Sequence, residues 1–331
     1  MADGRDWATG LKFSGMDCKV AVFLQRWPEV PSFAPTDAQF ARFADAVRSC
    51  GGTAVLARDE DSFLAALHDA THAIVWDFRQ EWFAKAPRLR EIGTPAAGKD
   101  YFRIVPPPGV SLGYGSFHGA IIGETATAAV LAFSHGLLPP APPDALRPWP
   151  RHAFAAKARR LAGATVVLLG FGAIGRAAGR FMKPFGPKIV GVSRTAHPAP
   201  DWFGPEDLSL GLDSLDAVLP QADFLVLFLP SGAATDSILD ARRIAMLKPT
   251  AFVLNYGRGN AIDETALAEA LRAGRIAGAA LDVFREEPLR SDSPLLSAPN
   301  CVLTPHSSAF SPDYLDLFFG QWLAGHGMAP D

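Results

Sequence analysis

The sequence predicts an α/β protein that has parallel β-sheets and two domains. Its 331 residues exceed the usual length of one domain. Short apolar runs alternate with helical patterns in the first third of the chain, and the alternation restarts near Leu161 and continues to about Pro305. This alternation favours parallel sheets, because neighbouring parallel strands are joined by crossovers that are usually helical.

The composition is typical of a soluble globular protein. Hydrophobic residues make up 49% of the chain and charged residues 20%, which is too apolar for a disordered protein. The formal net charge of -3 argues against a nucleic-acid partner. The longest apolar helical pattern contains Glu124 and His135, so we expect no membrane span and no membrane partner.

The cysteines and the first residues of the chain indicate a cytoplasmic protein. Cys18, Cys50 and Cys301 are widely separated, and none lies in a Cys-x-x-Cys pair or at metal-ligand spacing from a histidine. We therefore expect no metal site and a reducing compartment. The residues before Lys19 include acidic side chains and no apolar core, so they lack the pattern of a secretory signal.

Individual strands and helices follow from the apolar patterns. In the first third, strands are predicted in KVAVFLQ, GTAVLA and HAIVWDF, and a helix in DAQFARFADAVRSC. Six strands are predicted after Leu161, which is the number expected of a doubly wound nucleotide-binding domain. Their sequences are ATVVLLG, KIVGVS, DFLVLFLP, AFVLNY, AGAALDVF and CVLTPH. The proline cluster between Gly136 and His152 predicts a surface arm or linker, and DYLDLFFGQWLAGHG predicts a last helix that can pack on the first domain.

A glycine-rich turn follows the first of these six strands. It fits the pattern G-x-G-x-x-G and consists of Gly170, Phe171, Gly172, Ala173, Ile174 and Gly175. Glycines at these positions allow a tight turn, close approach of a pyrophosphate and close packing of strand and helix, while the helix N-terminus supplies N–H groups. The turn therefore predicts a Rossmann-type dinucleotide site. The alternative is a purely structural corner.

The end of the second strand bears on the choice of cofactor. An NAD site of this kind usually has an acidic residue there, which binds the ribose 2′-hydroxyl. This chain has Ser193, Arg194 and Thr195 instead. A guanidinium and two hydroxyls suit a 2′-phosphate, so we predict a preference for NADP(H). The alternative is a solvated Arg194 and relaxed use of NAD(H).

Three polar residues, Arg258, Glu287 and His306, follow the C-terminal ends of later strands. Taken singly, they could be a surface arginine, a loop charge before a proline and a capped histidine. Ligands of open α/β sheets bind at the carboxyl ends of the strands, however. The three positions together therefore indicate an active site.

The segments around these residues carry motifs of a known family. Asn255 to Gly259 fits N-x-x-R-G, Leu281 to Leu289 fits L-D-V-F-x-x-E-P-L, and His306 ends the triplet T-P-H. With the glycine turn upstream, the chain closely resembles the D-isomer-specific 2-hydroxyacid dehydrogenase family over nearly its whole length from Lys19. The resemblance implies an NAD(P)-dependent oxidoreductase that transfers a hydride between the cofactor and a 2-oxo acid or D-2-hydroxy acid.

The resemblance also implies roles for single residues. Arg258 would bind the substrate carboxylate and polarise the ketone, His306 would be the general acid and base, and Glu287 would orient the imidazole and stabilise its charged form. Asp282 would bind the nicotinamide carboxamide, with a simple turn acid as the alternative. The cofactor site would also include Leu229, Pro230, Tyr256 and Gly257.

In the first domain, the segment TPAAGKD resembles the carboxylate-binding loop of the family. The backbone N–H groups of Ala97 and Gly98 are the candidate substrate contacts. Lys99 replaces a commoner apolar residue and either adds a charge to the site or points to solvent. Trp76 and Arg79 end a predicted strand and could reach the substrate. Trp76 could equally lie in the core, although tryptophan here resembles the glyoxylate/hydroxypyruvate reductase branch.

The family plan implies a discontinuous domain arrangement. Residues 1–116 and 311–331 would form a flavodoxin-like substrate domain, and the NAD(P)-binding Rossmann domain, residues 117–310, would be inserted into it. The proline arm with Trp149 would lie at the interface of a homodimer.

The favoured function is an NADPH-dependent reductase of glyoxylate or hydroxypyruvate, since the SRT sequence resembles that branch. One alternative is an NAD-linked dehydrogenase of a bulkier D-2-hydroxy acid. Another is a dinucleotide-sensing binding protein similar to the corepressors of the family. The sequence leaves open which 2-oxo acid is the substrate and which direction of the reaction is the physiological one.

Overall fold

The computed structural model describes residues 18–328 apart from 26–29, 101, 140–143, 145, 146 and 148. The chain divides into two compact units. Unit one contains the described residues up to His118 together with those from Phe310 onward, and unit two contains Gly119 to Ala309. Part of the expected proline arm lies outside the described residues. In the described part of the chain, no helix has both the length and the apolar character needed to cross a membrane.

Unit one is built on a five-stranded parallel sheet with the order β2-β1-β3-β4-β5. Its strands are β1 (Lys19–Phe23), β2 (Thr53–Leu56), β3 (His72–Val75), β4 (Glu91–Thr94) and β5 (Ser111–Tyr114). This strand order is the flavodoxin-like one, which confirms the fold predicted for the first domain. The strands β4 and β5 were not among the predicted ones.

Helices flank the sheets of both units. Those in the described part of the chain are α1 (Asp37–Ser49), α2 (Glu60–Leu67), α3 (His118–Ser134), α4 (Arg151–Lys157), α5 (Ala173–Met182), α6 (Leu215–Val218), α7 (Ala241–Ile244), α8 (Glu264–Arg272) and α9 (Tyr314–Gly325). Short 3-10 turns span Pro31–Phe33, Gln80–Lys85, Lys183–Phe185, Leu212–Ser214, Leu219–Gln221, Gly259–Ala261 and Pro294–Ser297.

In unit one, α1 packs against α9 although the two helices are far apart in the chain. A capping box starts α1: the Thr36 hydroxyl accepts from the Gln39 backbone N–H at 3.2 Å, and the Gln39 side chain accepts from the Thr36 backbone N–H at 3.0 Å. The Phe43 ring of α1 stacks on Phe319 with 4.5 Å between centroids and meets Trp322 at 5.4 Å. The last helix therefore belongs to unit one.

Unit two is built on a seven-stranded parallel sheet with the order β12-β11-β10-β9-β6-β7-β8. Its strands are β6 (Thr165–Leu169), β7 (Lys188–Ser193), β8 (Leu208–Gly211), β9 (Phe224–Leu227), β10 (Phe252–Asn255), β11 (Gly278–Leu281) and β12 (Cys301–Leu303). The order reverses between β6 and β9, as in a doubly wound sheet, which confirms the Rossmann-type prediction. The six predicted strands are all present, and β8 is an additional edge strand.

Both faces of this sheet are buried, which explains why its strands are continuous apolar runs. Along β6, Val167 and Leu169 lie in one hydrophobic core cluster, and Val166 and Leu168 lie in the other. The seven strands are all parallel and pair in register. The loops that carry the candidate residues then emerge together at the carboxyl edge.

Candidate active site

The glycine turn joins β6 to α5 in unit two. Gly170 has a φ of 99°, in the left-handed region that favours glycine. A Cβ atom on Gly175 would lie 2.5 Å from the carbonyl oxygen of Gly170, whereas a Cβ atom on Gly172 would meet nothing within 4 Å. Backbone conformation and packing therefore require the first and third glycines. The second faces open space at the N-cap of α5.

The start of α5 suits the pyrophosphate of a dinucleotide. Among the described residues, no side chain caps this helix, and its first turn contains no acidic residue. Arg176 follows the third glycine, and its buried Nε atom has no hydrogen-bond partner within the described part of the chain. Its guanidinium lies 5.6 Å from the centre of the Phe171 ring. N–H donors and a cation at a helix N-terminus fit a phosphate group. Sequence reasoning did not single out Arg176, although its place directly after the glycine motif was a usable signal.

The residues expected to select the cofactor lie at the end of β7. The Ser193 hydroxyl donates to the carbonyl oxygen of Thr195 at 2.9 Å, which closes a short turn around Arg194. Arg194 and Thr195 are exposed. An exposed guanidinium at this position can meet a cofactor phosphate or solvent, so both alternatives for Arg194 stay open.

The turns after β9 and β10 pack closely beside the glycine turn. A Cβ atom on Gly257 would lie 2.5 Å from the backbone nitrogen and oxygen of Leu229, and one on Gly170 would lie 2.8 Å from the carbonyl group of Phe228. Leu229 is half-buried, and Pro230 beside it is exposed. The absence of side chains at the two glycines is what lets these three turns meet.

Tyr256 belongs to the same packed region. Its ring is stacked on that of Phe228, with 6.3 Å between centroids. Burial, and after it the negative charge of Asp282, raises the pKa of the Tyr256 phenol. The phenol is therefore neutral at physiological pH, and the residue packs as an apolar ring.

Arg258 lies in a turn that Asn255 holds in shape. The buried Asn255 amide donates to the carbonyl oxygen of Arg258 at 3.1 Å, and its Oδ1 accepts from the backbone N–H of Gly257 at 3.1 Å. The Arg258 guanidinium donates to the Gly257 carbonyl at 3.0 Å. A Cβ atom on Gly259 would lie 1.8 Å from the carbonyl carbon of Phe284. The asparagine and the glycine of N-x-x-R-G are thus required for the turn to close and to pack on the loop after β11.

Glu287 and His306 form a hydrogen-bonded pair. Nδ1 of His306 lies 2.8 Å from Oε2 of Glu287, and the other carboxylate oxygen accepts from the backbone N–H of Phe284 at 3.0 Å. An ionised carboxylate only accepts hydrogen bonds, so Nδ1 carries a proton. The atom of His306 that remains for proton exchange is therefore Nε2.

The surroundings of Glu287 keep its carboxylate ionised. Burial favours the neutral acid, but it is outweighed by hydrogen bonds from His306 and Phe284 and by the positive charges of His306 and Arg258, which hold the pKa of Glu287 below its ordinary value. Arg258 acts on the same carboxylate that His306 binds. All three residues expected at the active site thus gather in one region of unit two.

Asp282 lies under the turn that carries His306 and is 0% exposed. Its Oδ1 accepts from the Thr304 hydroxyl at 2.6 Å and from the Ser307 N–H at 2.8 Å, and its Oδ2 accepts from the Ser308 N–H at 2.9 Å. The Asp282 carbonyl accepts from the N–H of His306 at 2.8 Å. These contacts favour the turn-holding alternative for Asp282 over direct contact with the nicotinamide.

Comparison with known proteins identifies the family. Residues 146–308 match the family model described as D-isomer specific 2-hydroxyacid dehydrogenase, NAD binding domain. The solved structure of a D-isomer specific 2-hydroxyacid dehydrogenase family protein from Aeromonas salmonicida is 27% identical, with a TM-score of 0.68, and the match covers 95% of this chain and 97% of that one. This chain belongs to the D-isomer specific 2-hydroxyacid dehydrogenase family. The predicted resemblance is confirmed, and unit two contains a nicotinamide dinucleotide-binding domain of this family.

Matches to curated relatives cover only part of each relative's length. A glyoxylate reductase of Thermococcus gammatolerans is 40% identical over 144 residues, which are 44% of this chain and 42% of the relative. A D-3-phosphoglycerate dehydrogenase of Mycobacterium tuberculosis is 32% identical over 268 residues, which are 78% of this chain and 49% of the relative. The matches thus span somewhat less than half the length of these relatives.

In unit one of this family member, the expected substrate loop follows β4. Ala97 and Lys99 are exposed, and Gly98 is half-buried. Among the described residues, the N–H groups of Ala97 and Gly98 donate no backbone hydrogen bond. The loop is anchored at its base, where the N–H of Gly115 donates to the carbonyl of Ala96 at 3.0 Å. Amide donors on an anchored loop suit a carboxylate. The exposed position of Lys99 is compatible with a charge added to the substrate site and with a side chain that points to solvent.

Trp76 lies in the core of unit one, with 2% of its surface exposed. Its indole N–H donates to the Phe33 carbonyl at 2.8 Å, and its ring lies 4.8 Å from that of Phe33 and 6.0 Å from that of Tyr314. This environment favours core packing over substrate contact. Arg79 pairs with Glu60 at 2.8 Å.

Proposed function

We propose that the protein is an NAD(P)-dependent 2-hydroxyacid dehydrogenase that reduces a small 2-oxo acid with NADPH. Glyoxylate and hydroxypyruvate are the first candidate substrates. The observation that carries the proposal is the 2.8 Å pair of Glu287 and His306, with Arg258 acting on the same carboxylate. The match to the NAD-binding domain of the family supports it.

The chain offers a coherent set of residues to hold the cofactor. The glycine turn and the N-terminus of α5 would bind the pyrophosphate, and Ser193, Arg194 and Thr195 would bind the ribose 2′-phosphate. The turns after β9 and β10 would contact the remainder of the cofactor through Leu229, Pro230, Tyr256 and Gly257. When bound, the nicotinamide would supply the hydride. Asp282 would contribute by fixing the turn that carries His306 rather than by direct contact with the nicotinamide.

Arg258 would recognise the substrate. Its guanidinium presents parallel N–H donors, which match the two oxygens of a carboxylate, and its permanent charge would also stabilise negative charge that develops on the ketone oxygen. Asn255 and Gly259 hold its turn through the contacts described above. The N–H groups of Ala97 and Gly98 would add donors for the same carboxylate.

The Glu287 and His306 pair would hold and deliver the proton. The Nδ1 proton stays on His306, hydrogen-bonded to Glu287, while Nε2 of the imidazolium donates its proton to the ketone oxygen as that oxygen becomes an alkoxide. The imidazole that remains is neutral and takes up a proton from solvent. In the reverse direction, Nε2 accepts the proton of the substrate hydroxyl.

The same proposal assigns the domains and the assembly. Unit one would be the substrate domain, with the predicted bounds 1–116 and 311–331, and residues 117–310 would be the NAD(P)-binding domain. Trp149 is 74% exposed, which supports a homodimer whose interface covers the proline arm. The cysteines Cys18, Cys50 and Cys301 are free, which fits a reducing cytoplasm.

The first test is the oxidation of NADPH and, separately, NADH by the purified protein, followed at the nicotinamide absorbance. The substrates are glyoxylate, hydroxypyruvate, pyruvate and phenylpyruvate. We expect turnover of about 1 to 1000 per second with NADPH and one of the two small oxo acids. Equal kcat/KM with NADH would contradict the cofactor preference. Tight NADPH binding with no turnover on any of the four would overturn the proposal and favour a dinucleotide-sensing protein.

Two pairs of variants assign the roles. We expect His306→Gln to lower kcat by about 100-fold or more while the Kd for NADPH stays within about twofold, because general acid catalysis contributes that much. The exposed His135→Gln is its control. We expect Arg194→Gln to weaken NADPH binding about tenfold and to leave NADH binding unchanged, since one charge-assisted hydrogen bond is lost. The exposed Arg180→Gln is the second control.

A second candidate is an NAD-linked dehydrogenase of a bulkier D-2-hydroxy acid. The match to D-3-phosphoglycerate dehydrogenase favours it, because that match covers 78% of this chain. The same assay separates the two candidates. Faster turnover with NADH and phenylpyruvate than with NADPH and glyoxylate would select the second.

A further inference from the structure

A cluster of two histidines and a glutamate lies in unit one, whereas the candidate active-site residues belong to unit two. His72 and Glu91 are the first residues of β3 and β4 and are paired in register across the two strands. His326 caps the C-terminal end of α9. One potential ligand atom of each residue lies within 4.8 Å of those of the other two. No metal site is predicted here from the sequence, because the three residues are far apart in the chain.

The cluster is buried. His72 is 3% exposed and His326 is 4% exposed, and the side chain of Glu91 is 13% exposed. Oε1 of Glu91 has no hydrogen-bond partner among the described residues and lies 3.2 Å from Nε2 of His326. A buried carboxylate oxygen requires a positive partner, since burial without one is costly.

Hydrogen bonds fix the tautomer of His326. Its Nδ1 lies 2.7 Å from the carbonyl oxygen of Trp322, which can only accept, so Nδ1 carries a proton. In a neutral imidazole, Nε2 then has a lone pair, which faces the lone pairs of the Glu91 carboxylate. Two acceptors at 3.2 Å repel unless a cation lies between them. That cation is either a second proton on His326 or a metal ion.

Hydrogen bonds allow the same tautomer for His72. The Thr71 hydroxyl lies 2.8 Å from Nδ1 of His72 and 3.2 Å from the carbonyl oxygen of Lys19. When the hydroxyl donates to that carbonyl, its oxygen accepts from Nδ1, and the lone pair of His72 is on Nε2. The neutral imidazole is the form that binds metals.

The distances suit a small divalent cation. Four ligands at about 2.0 to 2.1 Å around a tetrahedral Zn²⁺ lie about 3.3 Å from one another. The 3.2 Å separation of His326 and Glu91 already has this value. Ligand atoms that lie within 4.8 Å of one another reach it by shifts of at most about 1.5 Å.

We propose that His72, Glu91 and His326 form a binding site for a divalent transition-metal ion, with Zn²⁺ the best match. Two imidazoles and one carboxylate are ligands that Zn²⁺ accepts, and water would complete the tetrahedron. The Nδ1 hydrogen bonds to Trp322 and to Thr71 orient the two imidazoles, as outer-sphere partners do in metal sites. Arg90 is the nearby cation that opposes binding, and the Glu91 carboxylate offsets its charge.

The site is structural. It lies at the amino ends of β3 and β4, whereas the substrate loop follows the carboxyl end of β4. A bound ion would join the end of α9 to two strands of the central sheet. Metal binding is thus expected to stabilise unit one without entering the hydride transfer.

The test uses the full-length protein with any affinity tag removed, first stripped with a chelator and then titrated with Zn²⁺ or Co²⁺. We expect one tightly bound ion per chain by elemental analysis, a tetrahedral Co²⁺ absorption band in the visible, and a melting temperature raised by about 5 to 10 °C at a hundredfold excess of Zn²⁺ over Kd. Each readout is independent of enzymatic activity. Less than one fifth of an equivalent, or no cobalt band, in the wild-type protein would overturn the proposal.

Matched variants locate the ion. We expect His72→Gln, Glu91→Gln and His326→Gln each to weaken Zn²⁺ binding about 100-fold or more, because each removes one direct ligand. His68→Gln is the control, since His68 is an exposed histidine of the same unit. His306→Gln tests the other histidine and carboxylate pair of the chain. Loss of the ion in His306→Gln, with binding retained in the three cluster variants, would place the metal at the active site and refute the proposal.

Discussion

The buried carboxylate of Asp282 gives a sharp prediction about the turn that carries His306. Asp282→Asn keeps the shape of the side chain but replaces one oxygen by an NH₂ group. The remaining oxygen can still accept from two donors, as Oδ1 now does from Thr304 and Ser307. The new NH₂ group then faces the N–H of Ser308, which now donates to Oδ2 at 2.9 Å.

The magnitude follows from these contacts. A hydrogen bond to a charged acceptor contributes about 2 kcal/mol, and a buried donor without a partner costs about 2 kcal/mol more. We therefore expect Asp282→Asn to lower the free energy of unfolding by about 4 kcal/mol. For a unit of this size, the corresponding fall in melting temperature is about 10 °C.

Calorimetry of the wild type and the variant measures the change. Asp292→Asn is the control, because Asp292 is exposed and a solvent-exposed ion pair such as the one with Arg290 contributes little to stability. We expect kcat to fall in Asp282→Asn as well, since the Asp282 carbonyl and carboxylate both hold the turn of His306. If the two variants melt within 2 °C of each other, Asp282 does not hold this turn.

Two further predictions concern unit two. Gly257→Ala should abolish cofactor binding or destabilise the unit, because the new Cβ atom would lie 2.5 Å from the backbone of Leu229. The control Gly232→Ala should be tolerated, since a Cβ atom there meets nothing within 4 Å. Similar NADPH affinity and melting temperature in the two variants would contradict this reasoning. Burial raises the pKa of the Cys301 thiol to about 12. At pH 8, a thiol reagent should therefore react about 1000-fold more slowly with a variant that keeps only Cys301 than with a variant that keeps only the exposed Cys50, and the rate for Cys301 should rise about tenfold per pH unit. Equal rates for the two variants would refute the assigned burial of Cys301.

The strands of unit two were predictable because the sheet is buried on both faces, which makes each central strand a continuous apolar run. The strand β8, with sequence LSLG, escaped prediction because it is an edge strand with no buried residue. The strands β4 (EIGT) and β5 (SLGY) escaped because each has four residues, with a glycine and polar side chains that hide the apolar pattern.

The candidate site was predictable where a short motif carries the geometry. Arg258, Glu287 and His306 each lie in such a motif, and the fold brings the three together. The role of Asp282 was not predictable, because burial and the three donors around it depend on tertiary packing. The cluster at His72 was not predictable either, since only the register of β3 and β4 and the position of α9 bring its members together.

The packing of α9 on α1 has a consequence for the order in which the chain folds during synthesis. Phe43 stacks on Phe319, so a ribosome must translate some two hundred residues beyond the first part of unit one before that core can close. At about 5 to 20 residues per second this delay is about 10 to 40 s. Unit two, which is continuous in the chain, can fold in that interval. The nascent first segment therefore exposes the apolar face of α1 to solvent until the last helix has been translated.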